Sequence, residues 1–104
     1  MTDHPARQDS KRPPMHPGAL LREEILPALK RPKAEIARLL AVSRKGLYDL
    51  LDEKQAVTPA MAVRLGKLCG NGPMLWLNLQ VRYDLWHAQG KTSVKNIPTL
   101  EAAE

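Results

Sequence analysis

Ser43, Arg44 and Lys45 form the triplet whose types and spacing most suggest chemistry. The serine hydroxyl can accept an orphan amide at the start of a helix. The two long cations then leave from that helix's first turn. Leu47 and Leu50 fall on the opposite side, so Arg44 and Lys45 point away from the body. Flexible donors carried at the leading end of a helix suit entry into a groove of duplex DNA.

The elements that must position this triplet are legible in Lys33 to Leu51, KAEIARLLAVSRKGLYDLL. Ile36, Ala37, Leu40 and Val42, then Leu47 and Leu50, have helical spacing on one face of each of two short segments. A helix-turn-helix needs a small residue at the crossing, here Ala37, a tight turn, here Ala41, and apolar plugs at Ile36, Leu40, Val42, Leu47 and Leu50. Ala41 stands where glycine would supply the permissive backbone, so strain is expected there. Gly46 should cost the second helix about 1 kcal/mol relative to alanine. The competing reading of the same spacing is a plain helical hairpin whose cations are merely solvated.

Charge favours the first reading. Residues 1–46 carry ten Lys and Arg against five acids, whereas residues 47–104 carry six of each, so the whole formal charge of +5 belongs to the first half. Six of those cations lie between Lys30 and Lys45 with Glu35 as the acid among them. A concentration of this kind is the electrostatic footprint of a phosphate-binding surface. Asp49, Asp52 and Glu53 follow closely and would repel phosphate, unless Asp49 accepts a hydrogen bond from a cytosine amine, so modest DNA affinity is expected.

The 104 residues suit one domain, and with no Phe its core must come mainly from Leu, Ile, Val and Ala. Residues 1–15 are polar and rich in proline, which predicts a disordered arm. Ile97-Pro98-Thr99-Leu100 and the alanine-rich end predict a flexible tail over residues 89–104, leaving residues 16–88 as the folded part. No apolar run approaches the ~20 residues of a membrane span and no signal-peptide core is visible, so a cytoplasmic protein without a membrane partner is expected. The lone Cys69, set among Ala62, Leu65 and Leu68, reads as a small core residue. His16 has no acid or Cys at ligand spacing, which argues for a capping or hydrogen-bonding role and against a metal. No activated nucleophile, catalytic carboxylate pair or phosphate-binding glycine loop is present, so no catalytic residue, cofactor or small-molecule substrate is assigned.

In chain order, Pro17 opens a helix with an apolar stripe at Leu20, Leu21 and Ile25, and Pro27 is expected to end or bend it. After the helix-turn-helix, Thr58 and Pro59 announce a helix to about Cys69, with Met61, Ala62, Leu65, Leu68 and Cys69 inward and Arg64 and Lys67 in water. Gly70-Asn71-Gly72-Pro73 stops it and starts another, to about Ala88. This last helix has two apolar stripes, Trp76/Leu79/Tyr83/Trp86 and Leu77/Val81/Leu85. One can pack on its own domain. The other is expected to meet a second copy of the chain, with Leu77, Val81, Leu85 and Trp86 assigned to the dimer interface. The alternative is that both lie beneath the remaining helices.

His16-Pro17-Gly18, Val57-Thr58-Pro59, Trp76-Leu77-Asn78-Leu79-Gln80 and Tyr83-Asp84-Leu85-Trp86, together with the helix-turn-helix, resemble the HigA family of bacterial antitoxins, among the phage-repressor-like helix-turn-helix proteins. The resemblance spans His16 to about Ala88. It implies an all-α, five-helix bundle, usually a homodimer, encoded beside a HigB-type toxin similar to the RelE group of mRNA-cleaving enzymes. It further implies that the dimer neutralises this toxin and represses its own operon at a palindromic operator. The recognition helix then begins at Ser43, and its outward positions are Ser43, Arg44, Lys45, Tyr48 and Asp49. Arg44 or Lys45 can donate to guanine, Tyr48 can offer its hydroxyl to phosphate or its edge to a thymine methyl, and the Ser43 amide can meet phosphate. Arg38 and Lys33 are the expected phosphate anchors. A stand-alone regulator without a toxin, and an interaction module that has lost DNA binding, remain the competing functions.

Overall fold

The computed structural model describes residues 12–102 of the chain. Five helices account for its regular structure: α1 (Pro17–Leu20, Leu21–Ile25 and Leu26–Leu29 in continuous succession), α2 (Lys33–Leu40), α3 (Arg44–Leu51), α4 (Pro59–Cys69) and α5 (Pro73–Lys91). The all-α, five-helix expectation holds. The expected disorder of the arm falls, over residues 1–11, outside the described residues. Residues 92–102 are exposed and non-helical, and α5 runs three residues past the expected end at Ala88.

Sequence signals place most helix ends. His16 caps α1 through its side chain, Nδ1 accepting from the Gly18 amide at 2.9 Å. Thr58 does the same for α4, its hydroxyl accepting from the Met61 amide. Lys30, Ala41 and Gly70 close α1, α2 and α4 in the left-handed conformation. Of the two outcomes expected of Pro27, ending the helix does not occur, because α1 continues through it to Leu29. The turn just before it, Leu21–Ile25, is π-helical, and the Leu26 amide reaches back to the Leu21 carbonyl. A wider turn is one way to absorb the proline ring and its missing donor without ending the helix.

Leu21, Ile36, Leu47, Leu50, Leu65 and Trp76 are fully or almost fully buried, so every helix contributes to one core. Burial is tight enough to dictate glycine at two places. A Cβ on Gly18 would sit 1.9 Å from the Leu50 carbonyl oxygen, so α1 can touch the end of α3 only without a side chain there. A Cβ on Gly66 would lie 2.3 Å from the Gly72 backbone, which is where α4 folds back against the start of α5. Cys69 is half-buried beside the core, and burial pushes its thiol pKa up, so it behaves as packing material.

The inner face of α5 is Trp76 and Gln80, both buried, with Tyr83 and His87 continuing it. The Trp76 indole donates to Asn71 Oδ1 at 3.0 Å. Gln80 Oε1 accepts from the Val57 amide at 2.7 Å, while its Nε2 donates to Asp84 Oδ1 at 2.9 Å. The His16 ring meets Tyr83 edge-on, with centroids 4.8 Å apart. Segments singled out in the sequence for their specificity are thus each other's partners.

Ala41 has φ 60° and ψ 42°, where an alanine Cβ is strained by about 1–2 kcal/mol. Replacing it by glycine relieves that strain but adds unfolded-state entropy, so Ala41→Gly should stabilise the protein by about 0.5 to 1 kcal/mol in denaturant unfolding. His16 supplies a second prediction. Burial lowers its pKa below 6.5, against the opposing charges of Glu53 and Asp84 and a hydrogen bond with the Gln55 backbone, with Arg22 adding to the lowering. The unfolded chain therefore takes up the proton first as pH falls. The stability owed to neutral His16 is complete above about pH 6.5 and is lost as pH drops towards the folded-state pKa. Thermal midpoints should fall between pH 7.5 and 5.5, and His16→Asn, which keeps an acceptor for the Gly18 amide, should flatten that dependence.

Candidate nucleic-acid interface

The interface is built on the turn between α2 and α3. After Leu40 the Ala41 amide bonds to the Arg38 carbonyl and the Val42 amide to the Ala37 carbonyl, both at 3.0 Å. This pair of bonds around a left-handed residue is a Schellman ending, and it turns the chain sharply into Ser43. Ser43 is extended at φ −72° and ψ 158°, and its Oγ accepts from the Gly46 amide at 2.9 Å. A Cβ on Gly46 would approach that hydroxyl to 3.1 Å, so glycine leaves the cap uncrowded.

Arg44 and Lys45 leave the first turn of α3 on its exposed side, as their position opposite Leu47 and Leu50 requires. Their surroundings differ. Lys45 Nζ pairs with Asp49 Oδ2 at 2.8 Å, one turn along the helix; the lysine side chain is 83 % exposed and the aspartate only 19 %. Among the described residues neither Arg44 nor Arg38 has an acidic partner. Both line one open concavity of about 510 Å³ between α2 and α3, floored by Ala37 and Val42. Lys33 stands over the Tyr48 ring, Nζ 5.8 Å from its centroid. This cation–π contact joins the start of α2 to the outer face of α3. Arg31 is tied to Glu35. The fold therefore gathers Lys33, Arg38, Ser43, Arg44, Lys45, Tyr48 and Asp49 on one side, with Arg38 and Arg44 as its uncommitted cations.

No protein-family model matches the chain. An uncharacterised HTH-type transcriptional regulator of Haemophilus influenzae is 37% identical to it over 75 residues, 72% of this chain and 70% of that protein. Among solved structures, an addiction-module antidote protein of the HigA family from Coxiella burnetii superposes with a TM-score of 0.77 at 32% identity, covering 86% of this chain and 99% of that one. The chain belongs to the HigA family. The antitoxin HigA of Pseudomonas aeruginosa, solved with the higBA promoter, matches with a TM-score of 0.73 at 34% identity over 83% of this chain and 96% of that one.

Two side-chain anchors of this HigA-family chain are invisible in its sequence pattern. Arg64 is expected in water and is exposed as a residue, yet its Nη1 donates to the Leu40 carbonyl at 2.9 Å and approaches the Ala41 carbonyl at 3.4 Å. Arg22 likewise reaches from α1 to the Leu51 carbonyl at 2.6 Å and to Glu53 at 3.2 Å. Glu53 is thereby neutralised, and of the three acids expected to oppose phosphate, Asp49 and Glu53 are both paired. Such long-range pairings leave no periodic trace; the only hint is at Arg64, a cation at a helical position whose neighbours carry no acid, whereas Arg22 has Glu23 beside it and bonds it as well.

On α5, Val81 and Leu85 are 58 % and 53 % exposed, on the side away from Trp76, and Met74 shares their stripe. Leu77 is half-buried against the chain's own core and Trp86 is half-buried beside His87. The four residues assigned to an interface therefore divide, with Val81 and Leu85 outward. The Ser43 cap gives a direct test of the local geometry: Ser43→Ala should lower unfolding stability by about 1 kcal/mol, with the loss seen in denaturant titration and the helical content of the folded state retained.

Proposed function

We propose that this HigA-family protein is an antitoxin that also represses its own operon, α3 reading operator DNA and a second surface holding a cognate toxin. The observation that carries the DNA half is the pair of uncommitted guanidinium groups, Arg38 and Arg44, flanking the start of a capped helix that presents Tyr48 and Lys45 beside them. Arg44 is placed to fork onto guanine O6 and N7, Arg38 and Lys33 to neutralise phosphates, and the Tyr48 hydroxyl to meet a phosphate oxygen or its ring edge a thymine methyl. Lys45 must first leave Asp49, a surface i,i+4 pair worth about 0.3–0.5 kcal/mol, so the pair tempers its contribution without blocking it.

A palindromic operator asks for two recognition helices one helical turn of DNA apart, hence for a dimer. The exposed stripe of Met74, Val81 and Leu85 on α5 supports pairing of two copies there, with Leu77 and Trp86 at its borders. The toxin half rests on kinship: the Coxiella burnetii and Pseudomonas aeruginosa relatives are an antidote protein and an antitoxin. The partner is then a small HigB-type, RelE-like mRNA-cleaving protein encoded beside this chain, and the protein itself performs no catalysis. The Haemophilus influenzae relative, a transcriptional regulator, supports the second reading of a regulator without a toxin.

Co-expression with the adjacent reading frame, tagging only the neighbour, decides between them. An antitoxin should elute as a stable complex whose partner arrests growth when expressed alone; a harmless neighbour, or none, leaves the regulator. For the DNA half, fluorescence anisotropy with the chain's own upstream duplex should show affinity falling steeply with salt. Arg44→Ala should cost about 1–3 kcal/mol of binding, and Lys45→Ala should cost less because Asp49 already holds that charge.

A further inference from the structure

We propose that Arg64, on α4, is a positioning residue for the recognition helix: it holds the α2–α3 turn in its left-handed conformation and touches no DNA itself. This rests on the DNA-reading function proposed above. The Schellman ending uses the Ala37 and Arg38 carbonyls and leaves those of Leu40 and Ala41 free. A helix end abandoned in this way carries unpaired acceptors and the negative pole of the dipole. Arg64 answers both needs, with Nη1 at 2.9 Å from the Leu40 oxygen and 3.4 Å from that of Ala41.

Ala41 makes the clamp necessary. Its φ of 60° is one that alanine resists, and a turn that would be relaxed with glycine must here be held from outside. The turn also fixes the direction in which α3 leaves, since Ser43 and its cap begin only two residues later. Arg64 comes from a different helix, α4, whose start is fixed in turn by the Thr58 cap and by the Val57 amide on Gln80. The clamp therefore refers the angle of α3 to the body of the protein. Arg64 also borders a concavity with Val42, Leu50 and Met61, at the joint between α3 and α4.

The guanidinium's engagement with two carbonyls distinguishes it from Arg38 and Arg44. A phosphate ligand weakens binding to every duplex alike when removed and reduces the salt dependence by about 0.9 of a log unit per log unit of salt. A positioning residue instead lowers discrimination, because base contacts need the helix at the correct angle while phosphate contacts tolerate error.

The test compares the wild type, Arg64→Met and Arg64→Lys in two experiments, both well below the unfolding temperature of each variant. In the first, amide hydrogen exchange is followed without DNA. The Met variant should exchange its Val42, Gly46 and Leu47 amides about tenfold faster, the equivalent of one charge-assisted hydrogen bond, while the Trp76 and Gln80 amides keep their protection. In the second, binding is measured to a duplex of the chain's own upstream sequence and to a scrambled duplex of equal composition. The Met variant should lose about tenfold on the first duplex and little on the second, with an unchanged salt slope, and Lys, which keeps a charged donor group, should recover part of the loss. Unchanged exchange at Val42 and Gly46 overturns the proposal. So does equal weakening on both duplexes with a shallower slope, which would make Arg64 a phosphate ligand. If the wild type binds neither duplex, the functional reading falls, and the exchange data alone decide whether Arg64 holds the turn.

Discussion

The buried side-chain amide of Gln80 ties the connection between α3 and α4 to α5. Val57 lies in the connection between α3 and α4, where no helix supplies a partner for its amide, and that amide is buried. Left unpaired it would cost about 1–3 kcal/mol. Gln80 removes that cost from the far side of the core, and Asp84 satisfies the other end of the same side chain. The entry to α4 is thereby registered against α5 immediately before Thr58 and Pro59 start the helix. A small protein without Phe has little apolar volume to spare, and here part of its specificity comes from directional bonds inside the core.

From α4 the register passes to the α2–α3 turn through the Arg64 hydrogen bonds, and from α1 to the end of α3 through Arg22 and the close approach at Gly18. The helix α3 is thus gripped at both ends by side chains from other helices. Its own interior contributes modestly: it is eight residues long and includes a glycine. An isolated segment of that length would not stay helical in water. Its shape is a property of the whole bundle, which explains how a helix with so little intrinsic propensity keeps Arg44, Lys45 and Tyr48 in fixed positions.

What was legible in the sequence follows local rules. Apolar spacing located Ile36, Leu40, Leu47 and Leu50; Ser43 and Thr58 announced their helices; Ala41 betrayed the strained turn. All of these depend on neighbours within a few residues. Pro27 marked a disturbance without fixing its form: the helix could end, bend or, as here, continue with a widened preceding turn. Arg64 and Gln80 were unreadable for a different reason. Their partners lie 24 and 23 residues away, and a polar side chain that bonds across the fold has the same local pattern as one that faces water. The candidate site was legible as a set of residues but not as a set of relationships. The sequence pattern did not show that Asp49 would hold Lys45, or that Lys33 would stand over Tyr48.

The two tryptophans of α5 have contrasting environments. Trp76 is sealed in the core with its indole bonded to Asn71, whereas Trp86 is half-buried beside His87, ten residues along the same helix. They amount to two intrinsic fluorophores on one rigid rod. The first is shielded from aqueous quenchers and reports whether the bundle is assembled, and the second is half-exposed and close to the His87 ring. Selective replacement of either one turns the unlabelled protein into its own optical sensor, able to separate opening of the core from events on the outer flank of α5.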